Sequence, residues 1–140
     1  MRFWEEQSRR LYQFAIELGM AFQLQDDLLD SYGGEELGKT IGGDILEGKK
    51  SYLMVTAMSR ADEEQREVLR HTYKDAALAP AEKIARVRAV FDALDVPRLT
   101  EQQISLRFDR ALATLDGLNV PDARKEPLRE YARSLMGRRK

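Results

Sequence analysis

The chain has 140 residues, of which 43% are apolar and 34% charged, and a formal net charge of −1. That length suits one domain able to bury roughly 68–70% of its unfolded surface, and so small a net charge gives no general pull toward nucleic acid or a membrane surface. With no cysteine in the chain, disulfides and thiolate metal sites are excluded, which fits a cytoplasmic protein. No signal-peptide pattern opens the sequence and no apolar run approaches the ~18–20 residues of a membrane span, so the chain reads as not an integral membrane protein.

Every long segment carries helical periodicity, and the fold class is predicted as all-α, a single helical domain over residues 1–140. The first helix is expected over about residues 5–30, where Leu11, Phe14, Ala15, Leu18, Ala21, Phe22 and Leu29 cover much of the circumference, as in a helix central to a bundle. A glycine-rich loop follows to about Gly48. A second helix is expected near residues 50–59 and a third near 62–76, the latter opened by a reciprocal cap between Asp62 and Gln65. A fourth runs from Pro80 to Leu94, with Ile84, Val87, Val90, Phe91 and Leu94 on its inner stripe. A fifth follows Pro97 to about Leu118, with Ile104, Phe108, Leu112 and Leu115 inside. The last is expected to begin near Pro127, and the basic end from Gly137 reads as a solvated tail. No run alternates with period two, so no sheet is expected. The single histidine, His71, sits in a charged helix and reads as a surface residue.

The chemistry concentrates in Gly19–Lys50. Asp26, Asp27 and Asp30 fall with Gln23 within an arc of roughly 100° at 3.6 residues per turn. Like charges at this spacing cost about 0.2–0.5 kcal/mol per pair on an exposed helix. Partly buried, the cost rises to about 4 kcal/mol at a separation near 4 Å. The neighbours Met20, Ala21, Phe22, Leu24, Leu28 and Leu29 are apolar, so the cluster asks for a counter-charge. Carboxylates on a rigid element are hard ligands that suit Mg²⁺ shared with phosphate. Six of the nine glycines, Gly33, Gly34, Gly38, Gly42, Gly43 and Gly48, follow at once. Glycine lets backbone approach a ligand closely, and Lys39 and Lys49 supply compact cations for phosphate oxygens. The loop matches neither the Walker A nor the dinucleotide pattern. Ile16, Gly19 and Met20 lie along the same helical arc, and that stripe alone reads as ordinary core packing.

FQLQDDLLD followed by GKTIGGDILEGKKS resembles the second aspartate-rich region of the isoprenyl diphosphate synthases, an all-helical family. The resemblance implies the C-terminal half of the isoprenoid synthase fold. It assigns Asp26, Asp27 and Asp30 to Mg²⁺ on an allylic diphosphate, Lys39 and Lys49 to that diphosphate, and Phe22 and Gln23 to the pocket near the reacting carbons. Asp44 would stand behind the lysines and orient them. The implied reaction condenses an allylic prenyl diphosphate with isopentenyl diphosphate, head to tail. The complete enzyme is expected to be a homo-oligomer.

The sequence also departs from the family. A second DDxxD is absent, as is a match to the basic residues that hold isopentenyl diphosphate. The chain is therefore expected to supply one half-site and to be inactive alone. A competing expectation is a non-catalytic helical partner of a complete synthase. A third is a helical bundle whose acids bind a cation structurally, which leaves Lys39, Lys49 and the glycines without a role.

Overall fold

The computed structural model describes residues 2–33 and 41–137. Among these are seven α-helices and no strand: α1 (Arg2–Tyr32), α2 (Gly43–Glu47), α3 (Tyr52–Arg60), α4 (Glu63–His71), α5 (Pro80–Ala93), α6 (Val96–Asp116) and α7 (Asp122–Met136). They form two compact units. One holds the described residues up to Gln25 and from Gln102 onward, and the other holds Asp26–Glu101. The chain passes between units inside α1 and inside α6 rather than through a linker.

In the first unit, Phe14 and Leu18 of α1 pack with Ala111 and Leu115 of α6, Leu118, and Ala132 of α7. Phe108 and Leu112, predicted inside, pack at the edge of this core. The expectation that α1 is mostly buried, as a helix central to a bundle, holds only in part. Trp4, Leu11, Tyr12, Ile16 and Met20 are exposed, at 66%, 44%, 68%, 39% and 43%. The Ile16–Met20 stripe is therefore surface and not the core packing that its spacing suggested.

α7 starts at Asp122, five residues before the predicted start, and Pro127 lies inside it. A proline there forfeits one helical hydrogen bond. Arg129, two residues on, gathers the acids of this corner. Its guanidinium donates to Asp116 at 2.7 Å, Asp122 at 2.8 Å and Glu126 at 2.9 Å. No hydrophobic periodicity announces such a start; Asp122 in its first turn pairs with Arg129 two turns on.

In the second unit α5 is the hub, touching α2, α3 and α4. Val87, Val90 and Phe91 on its predicted inner stripe are buried, while Ile84 and Leu94 are half-buried. The capping box of α4 forms as predicted, with Gln65 N–H donating to Asp62 at 2.8 Å and Asp62 N–H to the Gln65 side chain at 2.9 Å. α4 stops at His71, short of the predicted end, and tightens into a 3-10 turn over Thr72–Lys74. Asp75 ends it, since its carboxylate accepts the Ala77 amide at 2.9 Å, a local bond that competes with helix. His71 is on the surface, 3.1 Å from Glu67.

The Arg129 knot has a pH signature. Hydrogen bonding to Arg129 holds the Asp122 carboxyl below the usual carboxylate range. A depressed folded-state pKa contributes stability above the ordinary range, and that stability is lost as pH falls through the depressed value. Arg129→Met is expected to return Asp122 to the ordinary range in a carboxyl NMR titration and to flatten the acid limb of stability against pH.

Candidate functional site

The second half of α1 carries the acids into the second unit. Leu24 and Leu28 are buried on it, and Asp27 beside them is only 7% exposed, with Asp26 and Asp30 half-buried. Phe22 is half-buried and Gln23 exposed, one turn earlier on the same helix and inside the first unit. Lys39 lies outside the described residues.

Two acids meet helix N-termini. The Tyr52 amide, at the start of α3, donates to Asp27 Oδ2 at 3.0 Å, and the Asp44 amide, in the first turn of α2, donates to Asp30 Oδ2 at 2.8 Å. Unpaired amides there carry partial positive charge, so part of the counter-charge that the cluster asks for is backbone. A third link joins Gly42 N–H to the Asp30 carbonyl at 2.5 Å. These bonds draw the glycine turns onto the acid helix and create α2 inside the segment expected to be loop.

Two glycines are required by shape. Gly42 (φ 91°) and Gly48 (φ 68°) flank α2 in the left-handed region, and a Cβ would collide with Ile84 at the first and the Tyr73 ring at the second. Here both serve the close packing of turns.

Lys49 follows Gly48. Its amide donates to the Asp44 carbonyl at 2.9 Å, and its ammonium lies 3.7 Å from Asp44 Oδ2. The ammonium end is half exposed while Asp44 is largely covered. Burial, then the nearby Asp30 charge, push the Asp44 carboxyl above its ordinary range; Lys49 pulls the other way, and Asp27 and Glu47 add to the rise. Asp27, Asp30, Asp44 and Lys49 thus share one neighbourhood.

Among the described residues no three Asp, Glu or His side chains converge as a ready-made metal cage. The donor set nonetheless fits Mg²⁺, which takes one or two carboxylates and completes its shell with waters and substrate phosphate. The amides to Asp27 and Asp30 both occupy Oδ2.

A family model for polyprenyl synthetase matches residues 2–93. The chain belongs to the polyprenyl synthetase family. It is 32% identical over 117 residues to farnesyl pyrophosphate synthase of Homo sapiens, covering 84% of this chain and 27% of that protein. It is 37% identical over 120 residues to heptaprenyl diphosphate synthase component 2 of Geobacillus stearothermophilus, covering 83% and 35%. A solved geranylgeranyl pyrophosphate synthase superposes with a TM-score of 0.83 at 30% identity, over 97% of this chain and 43% of that one. The chain spans about a third of the length of these curated relatives. The likeness confirms the all-α isoprenoid synthase fold.

Reading the sequence assigned no role to Ser51, although it stands in the GKKS element. Ser51 is buried and caps α3, accepting the Met54 amide at 3.2 Å. A serine just before an apolar run is a legible capping signal. Tyr32, Arg88 and Asp92 were also unassigned. The Tyr32 hydroxyl donates to Asp92 at 2.8 Å, and Arg88 donates to the Ser31 carbonyl at 2.6 Å, closing the end of α1. Partners some sixty positions apart leave no local signal.

Two expectations follow for this polyprenyl synthetase chain. Asp27→Ala should cost about 1 kcal/mol or more in urea unfolding, because the start of α3 loses its acceptor, whereas Asp27→Asn keeps an acceptor oxygen and costs less. Asp44 has a raised folded-state pKa, so its burden on stability grows as pH climbs from the ordinary carboxylate range through the raised value. Asp44→Asn should therefore raise the unfolding midpoint in EDTA at pH 7 and leave it unchanged near pH 3.

Proposed function

We propose that this chain carries the allylic-diphosphate and Mg²⁺ half-site of a head-to-tail prenyl transferase of isoprenoid biosynthesis, and that it folds as a single domain. The observation that carries the reading is the pair of hydrogen bonds that Asp27 and Asp30 accept from the amides of Tyr52 and Asp44, which gather acids and Lys49 in one unit. The names of the relatives, farnesyl and heptaprenyl diphosphate synthases, support the substrate class.

In this reading Asp26, Asp27 and Asp30 hold Mg²⁺ on the diphosphate of an allylic substrate. Bound Mg²⁺ supplies positive charge to the departing diphosphate. Lys49 donates to the same leaving group from its exposed end, and Asp44 keeps the ammonium over the site. Lys39 does likewise by its place in the motif. Phe22 and Gln23 line the allylic carbons. The C–O bond breaks, the double bond of isopentenyl diphosphate attacks the allylic carbon, and a proton leaves. No covalent nucleophile is needed. The reading extends to a cytoplasmic enzyme, homo-oligomeric when complete; among the described residues no helix is long and apolar enough to cross a membrane.

A second reading, a non-catalytic partner of another synthase subunit, is favoured by the exposed Trp4, Leu11, Tyr12, Ile16 and Met20 on α1. The relative named component 2 points the same way.

Calorimetric titration with geranyl diphosphate separates the two. The first reading expects binding that needs Mg²⁺, and loss of that need when Asp26→Asn and Asp27→Asn are combined. Absence of binding in a chain shown to be helical would favour the partner.

A further inference from the structure

We propose a second small-molecule site, distinct from the acid cluster, in the groove between α3, α4 and the 3-10 turn, and that it takes a soluble amphipathic anion, a single alkyl chain ending in a phosphate. The groove lies wholly within the second unit and encloses about 430 Å³. Ligand pockets run from roughly 300 to 1,000 Å³.

Its floor is apolar. Met54 and Leu69 are buried there, Met58 is half-buried, and Val55 remains 55% exposed. Methionines give the floor adaptable, polarizable contact for a chain.

Its mouth is basic. Lys50, Arg70, His71 and Lys74 all line it, and among the described residues no acid does. Arg70 is shared with Glu63 and Glu67 at 3.8 Å each, and His71 with Glu67. Lys50 and Lys74 have no carboxylate partner among the described residues, and Lys74 lies 5.5 Å from the Tyr73 ring centre. Two lysines without counter-charges beside an apolar floor fit a phosphate-headed chain, since ammonium groups bind phosphate as point charges.

The end wall is fixed. Tyr73 stacks on Gly48, where no side chain could stand, and Lys83 donates to the Tyr73 carbonyl at 2.9 Å. The groove is thus held from two sides before any ligand enters, which lowers the ordering cost of binding.

The test is calorimetric titration of the full chain with octyl phosphate, below its micelle concentration and in EDTA. One molecule is expected to bind per chain. Lys50→Ala with Lys74→Ala should weaken binding at least fivefold, and Val55→Glu should abolish it with helicity retained by circular dichroism. Absence of binding, or binding indifferent to both groove variants, would overturn the proposal. Octanol binding as tightly as octyl phosphate would overturn the anionic class, and inorganic phosphate doing so would overturn the need for a chain. Retention on phosphatidic acid vesicles without octyl phosphate binding would replace the soluble ligand by a membrane surface and overturn the proposal as stated.

Discussion

The site depends on one constraint: a nearly buried carboxylate, Asp27, must find a partner, and it finds the first amide of α3. An uncompensated charge at that depth would be expensive. An amide at a helix start would in turn be unsatisfied without an acceptor. Each need answers the other, and the bond ties two segments twenty-five positions apart. Asp30 repeats the device one turn later with the Asp44 amide.

Lys49 inherits its place from these bonds. It sits between α2 and α3, whose starts are both held by acids of α1. Its backbone and its ammonium both address Asp44. The acids that suit a cation therefore also position the cationic side chain suited to a diphosphate. A substitution at Asp27 or Asp30 consequently acts on both parts, and only a conservative exchange that keeps an acceptor oxygen separates charge from scaffold.

The same unit retains electrostatic tension. Asp44 is pushed toward its protonated form by burial and by Asp30, against the pull of Lys49. Burial and a neighbouring like charge both disfavour the ionised carboxylate, and a nearby cation favours it. The turns that hold this arrangement rely on shape as well as charge, because Gly42 and Gly48 let Ile84 and Tyr73 close against backbone.

The sequence by itself determined the all-helical class, the capping box of α4, the inner stripe of α5 and the family. Those are local matters: periodicity, caps and a spaced motif are written within one or two turns of helix. It also named Asp27, Asp30, Asp44 and Lys49 as belonging together, through the motif. Only the tertiary structure decided what Asp27 and Asp30 bond to, that α2 exists within the glycine-rich segment, that α7 starts at an ionic knot around Arg129, and that Ile16 and Met20 face outward. Each of these turns on a partner distant in sequence. A donor's acceptor, or a stripe's neighbour, is set by packing, and packing is not a property of any window of the chain.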